Sequence, residues 1–89
     1  MKLSTREAAA LAALADGDGP LGGADIAESV ETYGVETTSY GAHQSARGLV
    51  RKELAATTYV SGRLGAEVGY ELTSAGRELA KRLAEGRGQ

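Results

Sequence analysis

Apolar positions recur with a helical period in the first half of this 89-residue chain and with a strand period in part of the second. The first helical pattern begins with a capping box at residues Ser4 to Glu7, in which serine and glutamate side chains cap backbone amides reciprocally. Leu11 and Leu14 then lie on one helical face, and the pattern reaches about Ala15. The glycine-rich stretch 16–20 contains a proline and predicts the end of helix 1.

A short connection separates this helix from a second one. Leu21 is expected in a very short strand or extended linker, and helix 2 is predicted from Ala24 to Thr32. Ile26 and Val30 stand at core spacing within it. Gly34 follows as a natural left-handed helix stop, so residues 33–35 are predicted to form a turn.

The third helical pattern is amphipathic. Its candidate N-caps are Thr37, Thr38 and Ser39, and it is predicted to continue to about Ala56. The apolar stripe consists of Ala42, Ala46, Val50 and Leu54, with Leu49 beside it. The opposite stripe consists of Tyr40, Gln44, Arg47 and Arg51, with His43 at its edge. Two glycines, Gly41 and Gly48, each cost about 1 kcal/mol of helix propensity and leave the length of helix 3 open.

The pattern changes to strands after residue 57. Thr58 to Val60 and Val68 to Leu72 are rich in β-branched and aromatic residues, and glycines bound the loop between them. Val68, Tyr70 and Leu72 alternate and are therefore expected on one face of a hairpin. Thr73 follows as the N-cap of a predicted helix 4, which carries Leu79 and Leu83 one turn apart.

The composition limits the class of protein. A chain of this length forms one domain with a small core, and it has no Phe, Trp or Cys, so disulfides, thiol nucleophiles and thiolate metal sites are excluded. No apolar run approaches the roughly 20 residues of a membrane span, and the N-terminus does not resemble a signal peptide. These features fit a cytoplasmic protein.

Positive charge is concentrated in the middle of the chain. Residues 1–36 have two basic and seven acidic side chains, a balance of −5, whereas residues 37–65 have four basic and one acidic, a balance of +3. Residues 66–89 have four of each sign, which returns the overall net charge of −2. Because a polyanion responds to the local field of one face, this distribution is compatible with nucleic-acid binding despite the acidic total.

The phrase Tyr70-x-Leu72-Thr73-x-x-Gly76-Arg77 resembles the segment that closes the wing in winged helix–turn–helix proteins. The order of the predicted elements resembles the MarR and PadR regulators over most of the chain. This resemblance implies a mainly α fold with a small β-hairpin wing, in the order α-(β)-α-α-β-β-α, as a single domain over residues 1–89. It also implies sequence-specific binding of double-stranded DNA by a transcription regulator.

On this interpretation helix 3 enters the major groove. Gln pairs bidentately with adenine and Arg with guanine, so Gln44 and Arg47 are the first candidates for base contacts. The other candidates for base, phosphate or minor-groove contacts are Thr37, Thr38, Ser39, Tyr40, His43, Arg51, Lys52 and Arg63. Arg63 stands at the predicted wing tip, and the three hydroxyl residues stand at a helix start. The alternative for each is simple capping or solvent exposure.

Catalytic sites are not supported by the sequence. The glycine-rich stretch 17–23 lacks the Gly-Lys-Ser/Thr ending of a phosphate-binding loop, and Asp16 and Asp18 would repel phosphate. The fragment from Asp16 to Gly19 resembles a calcium loop, but Ala27 occupies the position that requires glutamate. His43 is the single histidine, so no triad or imidazole metal cluster is available. We therefore expect no enzyme activity and no cofactor.

The expected partner is double-stranded DNA, bound by a homodimer that forms through helices 1 and 4. Leu11, Leu79 and Leu83 are candidates for the dimer interface, or else belong to the core. Repression is the default expectation because the chain has no evident sensor or activation domain, and no membrane or small-molecule partner is implied. The alternative is a winged-helix module that docks a protein, which the acidic first 36 residues and the apolar wing residue Leu64 favour.

Overall fold

The computed structural model describes residues 2–62 and 64–87, apart from the side chain of Arg87. It contains four α-helices, a 3-10 turn and one small sheet. The elements are α1 (Thr5–Asp16), β1 (Leu21–Gly22), α2 (Gly23–Val30), a 3-10 turn (Glu31–Tyr33), α3 (Ser39–Arg51), β2 (Ala55–Gly62), β3 (Gly65–Leu72) and α4 (Ser74–Arg87). This order confirms the predicted α-(β)-α-α-β-β-α fold.

Helix α1 begins as the sequence predicted. The backbone N–H of Ser4 donates to Oε1 of Glu7 at 2.9 Å, and the N–H of Glu7 donates to Oγ of Ser4 at 3.1 Å. The capping box is therefore complete. Leu11, Leu14 and several alanines of the helix are buried, and the small alanine side chains allow neighbouring helices to approach closely.

A left-handed glycine ends the second helical segment. Helix α2 is shorter than predicted and continues as the 3-10 turn. Gly34 has a φ of 79°, its N–H donates to the carbonyl of Glu31 at 3.0 Å, and the N–H of Val35 donates to the carbonyl of Val30 at 3.1 Å. These two bonds form a Schellman motif, which confirms the predicted role of Gly34.

The prediction that helix 3 continues to Ala56 is wrong, because α3 ends at Arg51. Glu53 adopts a φ of 62°, its N–H donates to the carbonyl of Val50, and the N–H of Leu54 donates to the carbonyl of Leu49, both at 2.9 Å. This is a second Schellman motif, with glutamate at the position where glycine is usual. Leu54 is buried as predicted, but as the residue that follows the motif and not as part of the helix.

The sheet has the strand order β1-β3-β2, and both strand pairs are antiparallel. β2 and β3 are each longer than the sequence predicted and pair along their whole length, from Ala55 opposite Leu72 to Gly62 opposite Gly65. β1 adds two residues on the other edge of β3, with Leu21 opposite Tyr70. The hairpin therefore extends beyond the core as a wing.

Helix α4 is attached to the end of α3 through Thr73. The Thr73 hydroxyl accepts a hydrogen bond from the N–H of Gly76 at 3.1 Å and donates one to the carbonyl of Glu53 at 2.8 Å. The N–H of Thr73 donates to the carbonyl of Leu54 at 3.1 Å. A Cβ on Gly76 would overlap that same carbonyl oxygen. The Leu72-Thr73-x-x-Gly76 phrase thus fixes the start of α4 against the α3–β2 connection.

The core is built mainly from aliphatic side chains and alanine. Tyr70 is its largest fully buried side chain, followed by Leu11, Ile26, Leu49 and Val30. Leu79 is partly buried against this core, whereas Leu83 is exposed at the surface. No helix in residues 2–62 and 64–87 combines the length and apolarity that crossing a bilayer requires.

Candidate nucleic-acid interface

The start of α3 is defined by hydroxyl side chains. Thr38 is the N-cap, and its Oγ1 accepts a hydrogen bond from the N–H of Gly41 at 3.1 Å. The hydroxyl of Thr37 lies where a Cβ on Gly41 would be, so this glycine leaves room for it. Ser39 is the first helical residue and is exposed. The helix N-terminus therefore presents hydroxyls and amides at the surface, a setting that suits an anion.

The outer face of α3 is polar and accessible. Tyr40 is 72% exposed, and Gln44, Arg47 and Arg51 are exposed as well. Successive members are three or four residues apart, which places them on one side of the helix. Within residues 2–62 and 64–87, Gln44, Arg47 and Arg51 make no side-chain hydrogen bond or ion pair. Their donors and acceptors are available to a ligand.

His43 lies at the inner edge of this face and is only partly exposed. Its Nδ1 is 2.9 Å from the hydroxyl of Tyr70, and the two rings meet edge to face with centroids 5.6 Å apart. The ring also covers Gly23, the first residue of α2. The structure therefore directs this predicted DNA contact toward the sheet.

Lys52 is also engaged within the protein. Its Nζ is 3.0 Å from Oε1 and 2.8 Å from Oε2 of Glu7, which connects the end of α3 to the start of α1. The Lys52 ammonium and the backbone amide of Ser4 hold the pKa of the Glu7 carboxyl below its ordinary value. Gly48 makes this approach possible, because a Cβ there would overlap the Glu7 carboxylate.

The wing presents apolar side chains. Leu64, at its tip, is fully exposed and does not fold back onto the hairpin. Tyr59 and Val68 pair across β2 and β3 and are also exposed, on the sheet face that carries Tyr70 nearer the core. Arg63, the predicted basic residue of the tip, lies outside the described residues.

A groove that the sequence did not predict lies beside α3. It has a volume of about 640 Å³ and lies between the start of α1 and the start of α3. Arg6, Glu36, Tyr40 and Gln44 contribute to its walls, together with the threonines that begin α3. Arg6 is exposed there and adds a positive charge next to the outer face of α3. Arg6 lies within the capping box, and nothing in the local sequence pattern indicates that its side chain lies beside α3.

Comparison with known proteins identifies the fold. No family model and no curated protein matches the sequence, but solved structures do. ZitR of Lactococcus lactis matches with a TM-score of 0.74 and 22% identity, over 96% of this chain and 53% of ZitR. A PadR-family transcription regulator from hypervirulent Clostridium difficile R20291 matches with a TM-score of 0.75 and 15% identity, over 93% of this chain and 86% of that regulator.

A third match is MepR, a transcription regulator of the Staphylococcus aureus multidrug efflux pump MepA. Its TM-score is 0.69 at 21% identity, over 94% of this chain and 57% of MepR. The chain thus spans about half the length of ZitR and MepR and most of the PadR-family regulator. At these identities the matches define the architecture: the chain has the winged helix–turn–helix fold that PadR-family and MarR-type regulators share.

Proposed function

We propose that this protein binds double-stranded DNA sequence-specifically and regulates transcription, with α3 in the major groove and the wing on the backbone or minor groove. The observation that carries the proposal is the outer face of α3, where Gln44 and Arg47 are exposed and unpaired within the described residues. A major groove about 12 Å wide accepts an α-helix presented in this way. The likeness of the fold to known transcription regulators supports the same conclusion.

The side chains of α3 divide into two roles. Gln44 and Arg47 lie in the middle of α3. Their side chains are assigned to base edges, because their chemistry matches adenine and guanine. Tyr40 and Arg51, at the two ends of the exposed face, are assigned to the base or phosphate contacts that flank them. Arg51 is about 16 Å from Tyr40 along the axis.

The hydroxyl residues at the start of α3 are assigned to phosphate. Thr37, Thr38 and Ser39 place hydroxyls and the free amides of a helix N-terminus beside the groove that Arg6 lines. Lys52 is assigned a supporting role, because its ammonium is neutralised by Glu7. Arg63 remains the proposed basic contact of the wing.

A salt series tests the proposal as a whole. The protein is titrated into mixed genomic fragments from about 50 mM salt upward, and DNA binding predicts that log affinity falls linearly with log salt. The slope gives the number of phosphate contacts. Absence of binding at about 50 mM salt and micromolar protein would contradict the proposal.

Single substitutions test the assignment of the outer face. Gln44→Ala and Arg47→Ala should each relax sequence preference at one base pair, at a cost of about 1–3 kcal/mol on the preferred site. Arg82→Ala is the matched control, since it removes one exposed positive charge from α4. Equal losses from Arg47→Ala and Arg82→Ala would show that only total charge matters and that α3 does not contact bases.

We also propose a two-fold dimer through α1 and α4. Two apolar grooves of about 380 Å³ each lie along α1, and Leu83 of α4 lines both of them. Ala8 and Tyr33 are also common to both, and Leu83 is 38% exposed. Leu11 is almost completely buried and belongs to the core. A two-fold pair would suit half-sites about 34–36 Å apart.

The regulatory mechanism proposed is occupation of a promoter or operator without a cofactor, with repression as the simplest outcome. The outer face of α3 is accessible in the protein alone, so no ligand is needed to expose it. A regulator of this kind acts where the chromosome is, and we place it in the cytoplasm. The proposal includes no enzyme activity.

A protein-docking module is the second candidate function. The observation in its favour is the wing, where Leu64, Tyr59 and Val68 are all exposed. Apolar side chains of this kind are more typical of protein contacts than of phosphate contacts. Failure of DNA binding in the salt series would favour this candidate.

A further inference from the structure

We infer that His43 is a positioning residue that holds the recognition helix on the sheet through Tyr70 and does not itself contact DNA. The inference rests on the proposed function, because it explains how α3 is oriented for that task. It also assigns a role to Tyr70 and Gly23, two residues outside the outer face of α3.

A side-chain hydrogen bond joins α3 to β3. Nδ1 of His43 is 2.9 Å from the hydroxyl of Tyr70, and the rings are inclined by 66° in an edge-to-face contact. Tyr70 is 0% exposed, so its hydroxyl is shielded from bulk water with the imidazole in place. This bond is therefore a specific requirement of the packed structure and not an incidental surface contact.

Gly23 leaves space for the imidazole of His43. A Cβ on this residue would overlap Nε2 of His43 and lie 3.0 Å from its Cε1. Gly23 is buried and is the first residue of α2. The ring is thus enclosed between the start of α2 and the middle strand of the sheet.

Tyr70 lies on the middle strand of the sheet. On β3 it pairs with Leu21 of β1 on one side and Thr57 of β2 on the other. A contact with this residue therefore ties α3 to all three strands at once.

The orientation of α3 follows from this contact. Gln44 is the next residue after His43, and successive side chains on an α-helix are about 100° apart around the axis. Gln44 is therefore about 100° and Arg47 about 40° around the axis from His43. Both are exposed, so a His43 held against Tyr70 fixes the direction of these two side chains at the outer face. A rotation of α3 that broke the contact of His43 with Tyr70 would change the angle at which both side chains meet the base edges.

The position of the wing follows as well. Val68 precedes Tyr70 by two residues on β3 and lies about 7 Å nearer the wing tip. It is opposite Tyr59, on the same sheet face as Tyr70. The His43–Tyr70 contact therefore sets the distance between α3 and the wing.

The test uses substitutions that change single atoms of this contact. Tyr70→Phe removes the hydroxyl alone. In His43→Asn the side-chain amide reaches the place of Nδ1, whereas in His43→Gln it reaches the place of Nε2. All variants are first checked for wild-type circular dichroism, and the measured quantity is the ratio of affinities for a selected DNA site and a scrambled duplex.

We expect Tyr70→Phe and His43→Gln each to lower this ratio about tenfold, the loss of part of one base contact. The double variant should be no worse than either single one, because both remove the same bond. His43→Asn should restore most of the ratio. The salt slope should stay unchanged in all of them, since no phosphate contact is lost.

Two results would overturn the inference. One is a Tyr70→Phe protein with the wild-type affinity ratio. The other is a His43→Gln protein that loses as much affinity for the scrambled duplex as for the selected site, which would show that the imidazole contacts the DNA backbone. If the wild-type protein binds no DNA, the proposed function fails and this inference fails with it. If the wild-type protein binds DNA and either of the two results above is found, only this inference fails.

Discussion

The substitution Gly76→Ala should destabilise the protein, although alanine is the better helix former. Gly76 lies in the first turn of α4, where a Cβ would overlap the carbonyl oxygen of Leu54 and lie 3.0 Å from its carbonyl carbon and 3.3 Å from Cδ2 of Leu72. These separations are inside the ~3.5 Å at which non-bonded carbon atoms attract. Because the obstacle is backbone, a change of side-chain rotamer cannot relieve it.

The magnitude follows from what must move. Overpacking against a fixed backbone costs about 1–3 kcal/mol. The same displacement weakens the bond from the N–H of Thr73 to the carbonyl of Leu54, worth about 1 kcal/mol. The gain in helix propensity from glycine to alanine is about 1 kcal/mol. We therefore expect a net loss of about 1–3 kcal/mol in the free energy of unfolding.

The assay is urea denaturation followed by the helical circular dichroism signal. Gly86→Ala is the matched control, because it makes the same change in α4 at a position where a Cβ would have nothing within 4 Å. It should be neutral or stabilising by less than about 1 kcal/mol. A Gly76→Ala protein as stable as the Gly86→Ala control would refute the account of how α4 is attached.

Three further predictions concern the helix contacts. Because the folded-state pKa of Glu7 is lowered, its contribution is present above its ordinary pKa and is lost as pH falls through the folded value. Glu7→Gln should therefore lower the free energy of unfolding by about 1 kcal/mol at pH 7, measured by urea denaturation, and reduce the loss of stability as the pH falls. A variant whose stability falls with pH as in the wild type would contradict this. Gly48→Ala should weaken the same acid-dependent component by displacing Glu7 from Lys52, and a wild-type acid profile would exclude that displacement. Leu83→Glu should convert a dimer to monomer in sedimentation equilibrium, and an unchanged mass would exclude α4 from the interface.

The local signals of the sequence predicted local structure well. The capping box at Ser4, the left-handed Gly34 and the N-cap Thr73 are all confirmed. Each of these depends on backbone groups only a few residues away, so the residue type carries the information. The order of elements followed from the same signals together with the hydrophobic period.

The predicted end of helix 3 was wrong for a physical reason. Helix α3 ends at Arg51, and Glu53 then forms the same pair of hydrogen bonds that surrounds Gly34. Glutamate seldom adopts the positive φ that this motif requires. The apolar stripe also continued through Leu54 at helical spacing, because this residue is buried after the turn as it would be within a helix. Residue type and period therefore both indicated a longer helix.

The roles of the two glycines inside α3 could not be predicted from the sequence. Gly41 and Gly48 weaken a helix in isolation, and the structure shows what each allows: the Thr37 hydroxyl in one case and the Glu7 carboxylate in the other. Glu7 and Lys52 are 45 residues apart in the chain. Contacts at that separation depend on the packed arrangement and leave no local pattern.

For the candidate site, the sequence predicted which face of helix 3 is polar and exposed. Gln44, Arg47 and Arg51 are exposed on that face as expected. His43 stood at the edge of the stripe, where periodicity alone cannot decide between inside and outside. Its distance to Tyr70 decides it, and that contact spans 27 residues of sequence.

The most direct test of the central claim is dimethyl sulfate protection on a selected DNA site. The reagent methylates N7 of guanine in the major groove, the atom that an arginine of α3 would cover. If α3 lies in the major groove, the wild-type protein should protect a guanine N7, and this protection should be lost in Arg47→Ala and retained in Arg82→Ala. Binding without any guanine protection that depends on Arg47, across sites that contain guanine, would contradict the placement of α3 in the major groove.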